Sequence, residues 1–283
     1  MKKPSRSELL RHLRAPAHWR SVALVSDLHL GPQAPRTSAA FLRWLECLGG
    51  RADALLILGD LFEAWVGDDF LEQAPGDEHH AVCDALARLG RAGCFVAVQR
   101  GNRDFLLGEA FAGRCEARLL DDPCMLELAG QRIVLSHGDA LCVDDQAYLR
   151  WREVCRDPQW QAGFLAQPLD ARIAQAAAAR EQSRRTQAAM AQPGDADADE
   201  AARWLQRDAA AWMIHGHTHR PREHWRGAQL RQVLSDWDLD SAGDGRAQVL
   251  WLRPGHGWLR VDREDLARLP ALRADARAGA AAT

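Results

Sequence analysis

The chain has 283 residues, of which 47% are hydrophobic and 27% charged, and its formal net charge is -3. This composition is ordinary for a globular protein, and the near balance of charge argues against a general nucleic-acid binder, which usually carries a basic excess. The seven cysteines form no CxxC pair, which excludes a disulfide framework and predicts a reducing compartment. Since no apolar stretch suits a membrane span or a signal peptide, we expect a cytoplasmic protein.

The first part of the chain alternates short apolar runs with helical patterns. The runs Val22–Ser26, Ala54–Leu58 and Cys94–Gln99 are bounded by Gly, Asp or Asn, which is typical of buried strands. Between them, Ser38–Leu48 and His80–Ala92 show the spacing of helices. Alternation of this kind predicts βαβ units with an at least partly parallel sheet.

Later apolar runs follow each other more closely. Met125–Leu128 and Arg132–Leu135 flank Ala129-Gly130-Gln131, which predicts a hairpin. Further strands are predicted at Ile133–Ser136, Trp212–Ile214, Gln229–Leu234, Gln248–Leu252 and Trp258–Val261. The last three have no helices between them, so we expect a second sheet packed against the first.

Composition divides the chain into regions. We predict a basic N-terminal extension over 1–20, a core over 21–140 and 208–270, and a disordered tail over 271–283. The segment 141–207 is rich in Ala, Arg and Gln and contains the helical stretch Leu169–Met190, so we interpret it as a helical insertion that forms a lid. The basic extension fits an arm near anionic lipid head groups, and it fits equally a disordered tail or a wrongly assigned start.

Polar side chains follow the predicted strands where each strand ends. The segments concerned are Asp27-Leu28-His29, Gly59-Asp60, Gly101-Asn102-Arg103-Asp104, His137-Gly138-Asp139 and His215-Gly216-His217-Thr218-His219. Each alone fits a helix cap, a turn or a buried histidine. Because ligands bind beyond the carboxyl ends of strands in α/β sheets, the five together predict one site at a single edge.

The residue types at this edge suit divalent metal ions. Carboxylate, amide oxygen and imidazole are the ligands that hard and borderline metals prefer. Two ions that share a bridging carboxylate can acidify a water and clamp phosphoryl oxygens, so no protein nucleophile is required. The sequence has neither a nucleophile elbow nor a Walker-type glycine-rich loop. It therefore predicts a two-metal phosphoesterase.

The motif series D-x-H, GD, GNRD, HGD and GHTH resembles that of the calcineurin-like metallophosphoesterases between about Val22 and Trp237. The resemblance implies an α/β (α+β) fold, a two-sheet β-sandwich flanked by helices. It implies one metal ion on Asp27, His29, Asp60 and His219. It implies the other on Asp60, Asn102, His137 and His217, with Asp60 as the bridge. His215 matches no ligand position in this pattern.

Longer strings narrow the resemblance to the branch of that family that acts in lipid A biosynthesis. They are Gly59–Asp69, Gly101–Gly108, His137–Asp145 and Ile214–Pro221. This likeness implies cleavage of the pyrophosphate of UDP-2,3-diacylglucosamine into UMP and 2,3-diacylglucosamine 1-phosphate. It also implies a manganese pair and peripheral association with the inner face of the inner membrane.

The same likeness implies substrate contacts at Asp145 and Ser183. From their positions at the metal edge, we expect substrate contacts at Asn102, Arg103 and His217 as well. We expect catalytic roles for Asp60, Asn102, Arg103 and His217. Arg103 directly follows a ligand position and has a bidentate fork that suits phosphate.

Two other hypotheses stay open at this point. One is a related phosphoesterase for a soluble nucleotide or nucleoside diphosphate sugar, and the other is a non-catalytic scaffold, which would be expected to lack some ligands. The tryptophans Trp151, Trp160, Trp204 and Trp212 fit either core packing or an apolar surface for a greasy ligand or the membrane interface. We expect a monomer whose partners are the acylated UDP-sugar and the membrane surface, without nucleic acid.

Overall fold

Two six-stranded sheets packed face to face form the centre of the protein, as seen in a computed structural model that describes residues 11–73, 78–189 and 194–262. The strands are β1 (His12–Arg14), β2 (Val22–Val25), β3 (Ala54–Leu58), β4 (Phe95–Gln99), β5 (Arg118–Leu120), β6 (Cys124–Leu128), β7 (Gln131–Ser136), β8 (Trp212–His215), β9 (Arg222–Arg226), β10 (Gln229–Val233), β11 (Gln248–Arg253) and β12 (Gly257–Asp262). The first sheet has the order β12-β11-β2-β3-β4-β5, and the second β1-β6-β7-β8-β10-β9.

Helices cover the outer faces of the sheets. They are α1 (Pro35–Leu48), α2 (Phe70–Gln73), α3 (Glu78–Arg91), α4 (Glu109–Arg114), α5 (Gln146–Arg156), α6 (Pro158–Leu165), α7 (Leu169–Ala189) and α8 (Ala198–Arg207). The helices α5 to α8 all lie between β7 and β8 along the chain. The predicted fold class, two sheets flanked by helices, is confirmed.

The central strand β3 shows why the sandwich forms. All five of its residues are apolar and buried, as expected for a parallel strand covered on both faces. Leu55 and Ile57 pack outward against α1 and α3. Ala54, Leu56 and Leu58 point the other way, into the core between the sheets. One apolar run therefore joins both layers of the core.

Most predicted strands are present within one or two residues of their expected bounds. The predicted hairpin is confirmed, with Leu128 paired to Gln131 across the two-residue turn Ala129-Gly130. Both turn residues have positive φ, 50° and 80°, as a type I′ turn requires. The later strands, however, do not all enter the second sheet, because β11 and β12 extend the first.

Three strands were not predicted. The strands β1 and β5 have only three residues each, too few to show an alternating pattern. The strand β9 reads REHWR and lies at a sheet edge, where polar residues are tolerated. β1 pairs in parallel with β6, so residues that we assigned to the basic extension contribute a sheet edge, with Leu13 in the core. The predicted tail, 271–283, lies outside the described residues.

The helices between β7 and β8 have two different surroundings. Ala201 and Leu205 of α8 pack against Val134 and Met213, on the outer face of the second sheet. α7 is instead held at its start by Arg172, which donates to the carboxylate of Asp69 and, over 2.5 Å, to the carbonyl oxygen of Val66. The lid role of this region stays a prediction.

The Arg172→Ala variant should loosen α7 from the loop at 66–69, because it removes a guanidinium that is 1% exposed and hydrogen-bonded to a carboxylate. We expect the local stability of α7 to fall by about 1–3 kcal/mol, seen as faster amide hydrogen exchange. Arg185→Ala is the control, since Arg185 is exposed and pairs with Glu181 on the same helix. Unchanged exchange in α7 of Arg172→Ala would contradict this anchoring role.

Candidate metal centre

The seven predicted metal ligands come together at one end of the sandwich. They follow strands of both sheets, with Asp27, His29, Asp60 and Asn102 beyond β2, β3 and β4, and His137, His217 and His219 beyond β7 and β8. The predicted single edge is the place where the carboxyl ends of the two sheets meet. A hydrogen bond from His217 N to Asp27 Oδ2 (2.8 Å) joins the segments that follow β8 and β2 there.

Three of these residues form a first group. His219 Nε2 lies 3.4 Å from Asp27 Oδ1 and 3.3 Å from His29 Nε2. One ligand atom from each residue lies within 4.8 Å of the other two. This spacing suits a single divalent cation held by two imidazoles and a carboxylate.

The remaining residues form a second group around an amide. Asn102 Oδ1 lies 2.9 Å from His137 Nε2 and 3.0 Å from His217 Nδ1. His137 Nε2 also lies 3.7 Å from Asp60 Oδ2. An amide oxygen, two imidazole nitrogens and a carboxylate oxygen therefore face one another, as a second cation would need.

Asp60 lies between the two groups. Its Oδ2 atom is 3.9 Å from His29 Nε2 and 3.7 Å from His137 Nε2. Its Oδ1 atom accepts a hydrogen bond of 2.8 Å from Arg103 N, which fixes the carboxylate. This position is compatible with the predicted bridge. Asp27 is close to both groups as well, because it also clusters with Asp60 and His137.

One further observation supports a divalent cation at this site. Asp27 is fully buried, and its Oδ2 atom accepts from Ser26 Oγ (2.6 Å) and His217 N (2.8 Å). Its Oδ1 atom is buried without a hydrogen bond among the described residues. A buried carboxylate oxygen without a donor is costly, and a cation beside His219 would compensate it.

The electrostatics of the site are strongly coupled. Burial disfavours the ionised form of Asp27, but the polar contact with His219 (Nε2 to Oδ1, 3.4 Å) and its charge outweigh burial and hold the pKa of Asp27 well below its usual range. Burial likewise opposes protonation of His137, yet Asp60, Asp27 and Asp139 raise its pKa to about 9. Carboxylates therefore make this edge attractive to positive charge.

Ligand residues carry unusual backbone conformations. Of the eight described non-glycine residues with positive φ, five are predicted ligands. They are Asp27, His29, Asp60, His217 and His219, with φ between 49° and 68°. Each such residue costs of order 1–3 kcal/mol, and such residues cluster at functional sites. The strain therefore supports a functional role for this edge independently of the side chains.

His215 is not a ligand in the structure. It is fully buried, and its Nε2 atom lies 3.0 Å from Arg231 Nη1, so this nitrogen is the acceptor. Nδ1 then carries the proton and donates to Gly216 O at 2.9 Å. Burial and the charge of Arg231 lower the pKa of His215 to about 3, which keeps it neutral. It supports the backbone that carries His217.

The predicted substrate residues lie at different depths. Arg103 is half-buried, and its Nε atom has no hydrogen bond among the described residues. Asp145 caps α5 by accepting from Tyr148 N at 2.9 Å, a structural task that the sequence did not reveal. Ser183 is half-buried on α7, one turn beyond Arg180. Arg180 in turn forms an ion pair with Glu63, which lies beside His29.

Sequence analysis missed several supporting carboxylates. Asp104 accepts from Leu61 N (2.8 Å) and Gly101 N (2.7 Å), and so ties together the loops after β3 and β4. Burial and the charge of Asp60 raise its pKa to about 6. Asp139 accepts from Arg152 Nε at 2.9 Å and from the Tyr148 hydroxyl. Both stand inside motifs noted above, but spacing alone did not show what they hold.

A family model, described as calcineurin-like phosphoesterase, matches residues 20–221. The chain belongs to this family, and its class is therefore that of metal-dependent hydrolases of phosphate esters and anhydrides. The seven converging side chains are of the types that such chemistry uses as ligands for divalent metal ions.

Several curated relatives carry the same name. A UDP-2,3-diacylglucosamine hydrolase from Stenotrophomonas maltophilia is 48% identical over 75% of this chain and 89% of its own length. One from Chromohalobacter salexigens is 42% identical over 90% of this chain and 98% of its own length. Among solved structures, an archaeal phosphodiesterase matches 86% of this chain and 99% of its own, with 12% identity and a TM-score of 0.41.

The Gly101→Ala variant should damage the metal centre, because a Cβ atom at this position would overlap the carboxylate and the backbone nitrogen of Asp60. We expect loss of tightly bound metal in elemental analysis and a lower melting temperature. Gly113→Ala is the control, since a Cβ there meets nothing within 4 Å. Full metal content in Gly101→Ala would show that this close approach is dispensable.

Proposed function

We propose that the chain hydrolyses the pyrophosphate bond of UDP-2,3-diacylglucosamine, giving UMP and 2,3-diacylglucosamine 1-phosphate in lipid A biosynthesis. The observation that carries the proposal is the convergence of seven ligand-type side chains around Asp60 in a chain whose relatives bear that enzyme's name. A scaffold would have no need of this set, nor of the strained backbone beneath it.

The side chains have different roles in the proposed reaction. Two divalent cations bound here would supply an acidified water and positive charge for the phosphoryl oxygens. Asp60, fixed by Arg103 N, and Asn102, between His137 and His217, hold the two positions together. We assign to the Nε atom of Arg103, which is buried and has no hydrogen bond among the described residues, the role of donating to a phosphate oxygen and stabilising charge that develops there. We assign His217 a second role as a phosphate contact.

We propose manganese as the resident metal. The combined set of four imidazoles, two carboxylates and one amide oxygen accepts manganese, iron, zinc or cobalt. The likeness to the lipid A branch of the family favours manganese among them. We also propose that the protein acts as a monomer, since one chain provides all seven ligands.

An aromatic path favours an acylated substrate over a soluble one. The ring centroid of Phe105, two residues after Arg103, lies 6.1 Å from that of Trp160. The ring of Trp160 is stacked on Phe164, with 5.1 Å between centroids, and is edge-on to Trp151, with 5.3 Å between centroids. Trp151 is 45% exposed. Apolar rings therefore lead from the loop of the metal centre to the surface, a route suited to acyl chains. Trp212, by contrast, belongs to the core.

We propose that the same surface docks the enzyme on the inner face of the inner membrane. No helix within the described ranges has the length and apolarity that spanning a membrane requires. Four large apolar side chains on α5, α6 and α7 are exposed, namely Trp151, Val154, Leu165 and Ile173, and we propose that they form this surface. Such a face would lie in the interfacial region of the bilayer and receive the lipid substrate there.

An assay with UDP-2,3-diacylglucosamine tests the reaction directly. We expect the purified protein to release UMP in the presence of manganese and to lose activity after chelation. Asp60→Ala should abolish turnover, because both cation positions lose a ligand. Asp84→Ala, which removes an exposed partner of Arg114, is the control. If a soluble UDP-sugar without acyl chains is cleaved equally well, the lipid assignment is wrong.

Removing the exposed apolar surface should weaken membrane binding. We expect the double variant Trp151→Ser, Val154→Ser to sediment with anionic phospholipid vesicles at least about tenfold less tightly, because two apolar side chains lose their burial in lipid. Leu259→Ser is the control, since Leu259 is 44% exposed on β12 of the first sheet, away from α5. Equal binding by the double variant would exclude this surface as the docking face.

A further inference from the structure

Two of the candidate ligand histidines have a carboxylate beside the ring nitrogen that faces away from the cation position; we call this arrangement carboxylate backing. His29 Nδ1 lies 2.9 Å from Glu63 Oε2, and His219 Nδ1 lies 3.5 Å from Asp236 Oδ2. Their Nε2 atoms face inward and are 3.3 Å apart. Each imidazole is therefore placed between a carboxylate and the position of the cation.

The second group is built differently. The outward nitrogen of His137, Nδ1, lies 2.9 Å from the carbonyl oxygen of Leu58, a neutral acceptor. His217 turns its Nδ1 atom inward to Asn102. Among the residues that the structure describes, the carboxylates within ion-pair distance of an outward ring nitrogen are those beside His29 and His219.

An arginine holds each of these carboxylates. Asp236, 3% exposed, accepts from Arg246 Nε (3.0 Å) and Nη2 (2.7 Å). Glu63 forms an ion pair with Arg180 of α7 through the Nη2 atom of the arginine. The chain Arg180–Glu63–His29 therefore connects a helix of the predicted lid to one metal ligand.

The contact between His29 and Glu63 is short, but its angle is not that of a well-aligned hydrogen bond. His29 Nδ1 is buried and makes no hydrogen bond of good geometry among the described residues, although Glu63 Oε2 is within ion-pair distance. A proton on this nitrogen has Glu63 as its near acceptor, and that proton leaves the lone pair of Nε2 for the metal. Carboxylates in this position orient a ligand histidine and increase its basicity.

We infer that Glu63 and Asp236 are positioning residues for the cation held by His29 and His219, and that Arg180 makes the affinity of that cation depend on α7. The inference rests on the proposed two-cation site. It gives α7 a task besides covering the substrate, because movement of this helix would release Glu63 and weaken one ion selectively.

Manganese titration of the metal-free protein by calorimetry tests the inference. For Glu63→Gln and for Asp236→Asn we expect one of the two ions to bind roughly 10–100-fold more weakly. The other ion should bind within about twofold of wild type. Arg180→Gln should weaken the same ion by a smaller factor, and adding it to Glu63→Gln should cause no further loss, since the two act through one contact.

Glu181→Gln is the matched control, because Glu181 neighbours Arg180 on α7 but pairs with Arg184 and Arg185. Melting temperatures of the metal-free variants within a few degrees of wild type would show that folding is intact. Wild-type affinity for both ions in Glu63→Gln and Asp236→Asn would overturn the inference, as would equal weakening of both ions. A wild-type protein that binds no pair of ions would instead refute the proposed function.

Discussion

The metal centre depends on how closely the backbone approaches it. At four points a glycine lies against a ligand or its neighbour, and a single added carbon would collide: Gly59 with His137, Gly101 with Asp60, Gly138 with His215 and Gly216 with Asp27. Because Gly59 lies against His137 and Gly216 against Asp27, residues from the ends of the two sheets approach each other closely there. The short distances within the two ligand groups depend on this close approach. The pairing of Gly with Asp, Asn or His in these motifs thus has a steric reason.

Much of this arrangement could be predicted from local pattern. The run Ala54–Leu58 is apolar throughout and ends in Gly59-Asp60, so both the buried strand and the group at its end are visible in the sequence. The polar strand β9 was missed because its stability comes from pairing with β10 rather than from its own residues. The division of the late strands between the sheets was missed for a related reason. Pairing of β11 with β2 joins segments more than 200 residues apart, which spacing cannot show.

The supporting carboxylates were hidden in the same way. Glu63 meets Arg180 across 117 residues, and Asp236 meets His219 across a turn and two strands. Glu63 stands inside the string Gly59–Asp69, but nothing in that string shows which groups it contacts. The candidate ligands were recognisable because chemistry restricts such residues to a few types at strand ends, whereas their supports can come from any element that folds back to the site. Sequence patterns therefore predicted the candidate ligands, and the structure was needed to show their surroundings.

The connection between β7 and β8 has a consequence for how such enzymes diversify. These strands are adjacent and parallel, so the chain leaves the sheet after Ser136 and returns at Trp212 only one strand over, at the opposite end. Its final helix, α8, packs against the outer face of the sheet and completes the crossover. Helices α5 to α7 are therefore not needed to close the crossover, and they reach the site through side chains such as Arg152 and Arg180. An exchange of these helices would alter the predicted substrate surface and the support of Glu63 at the same time.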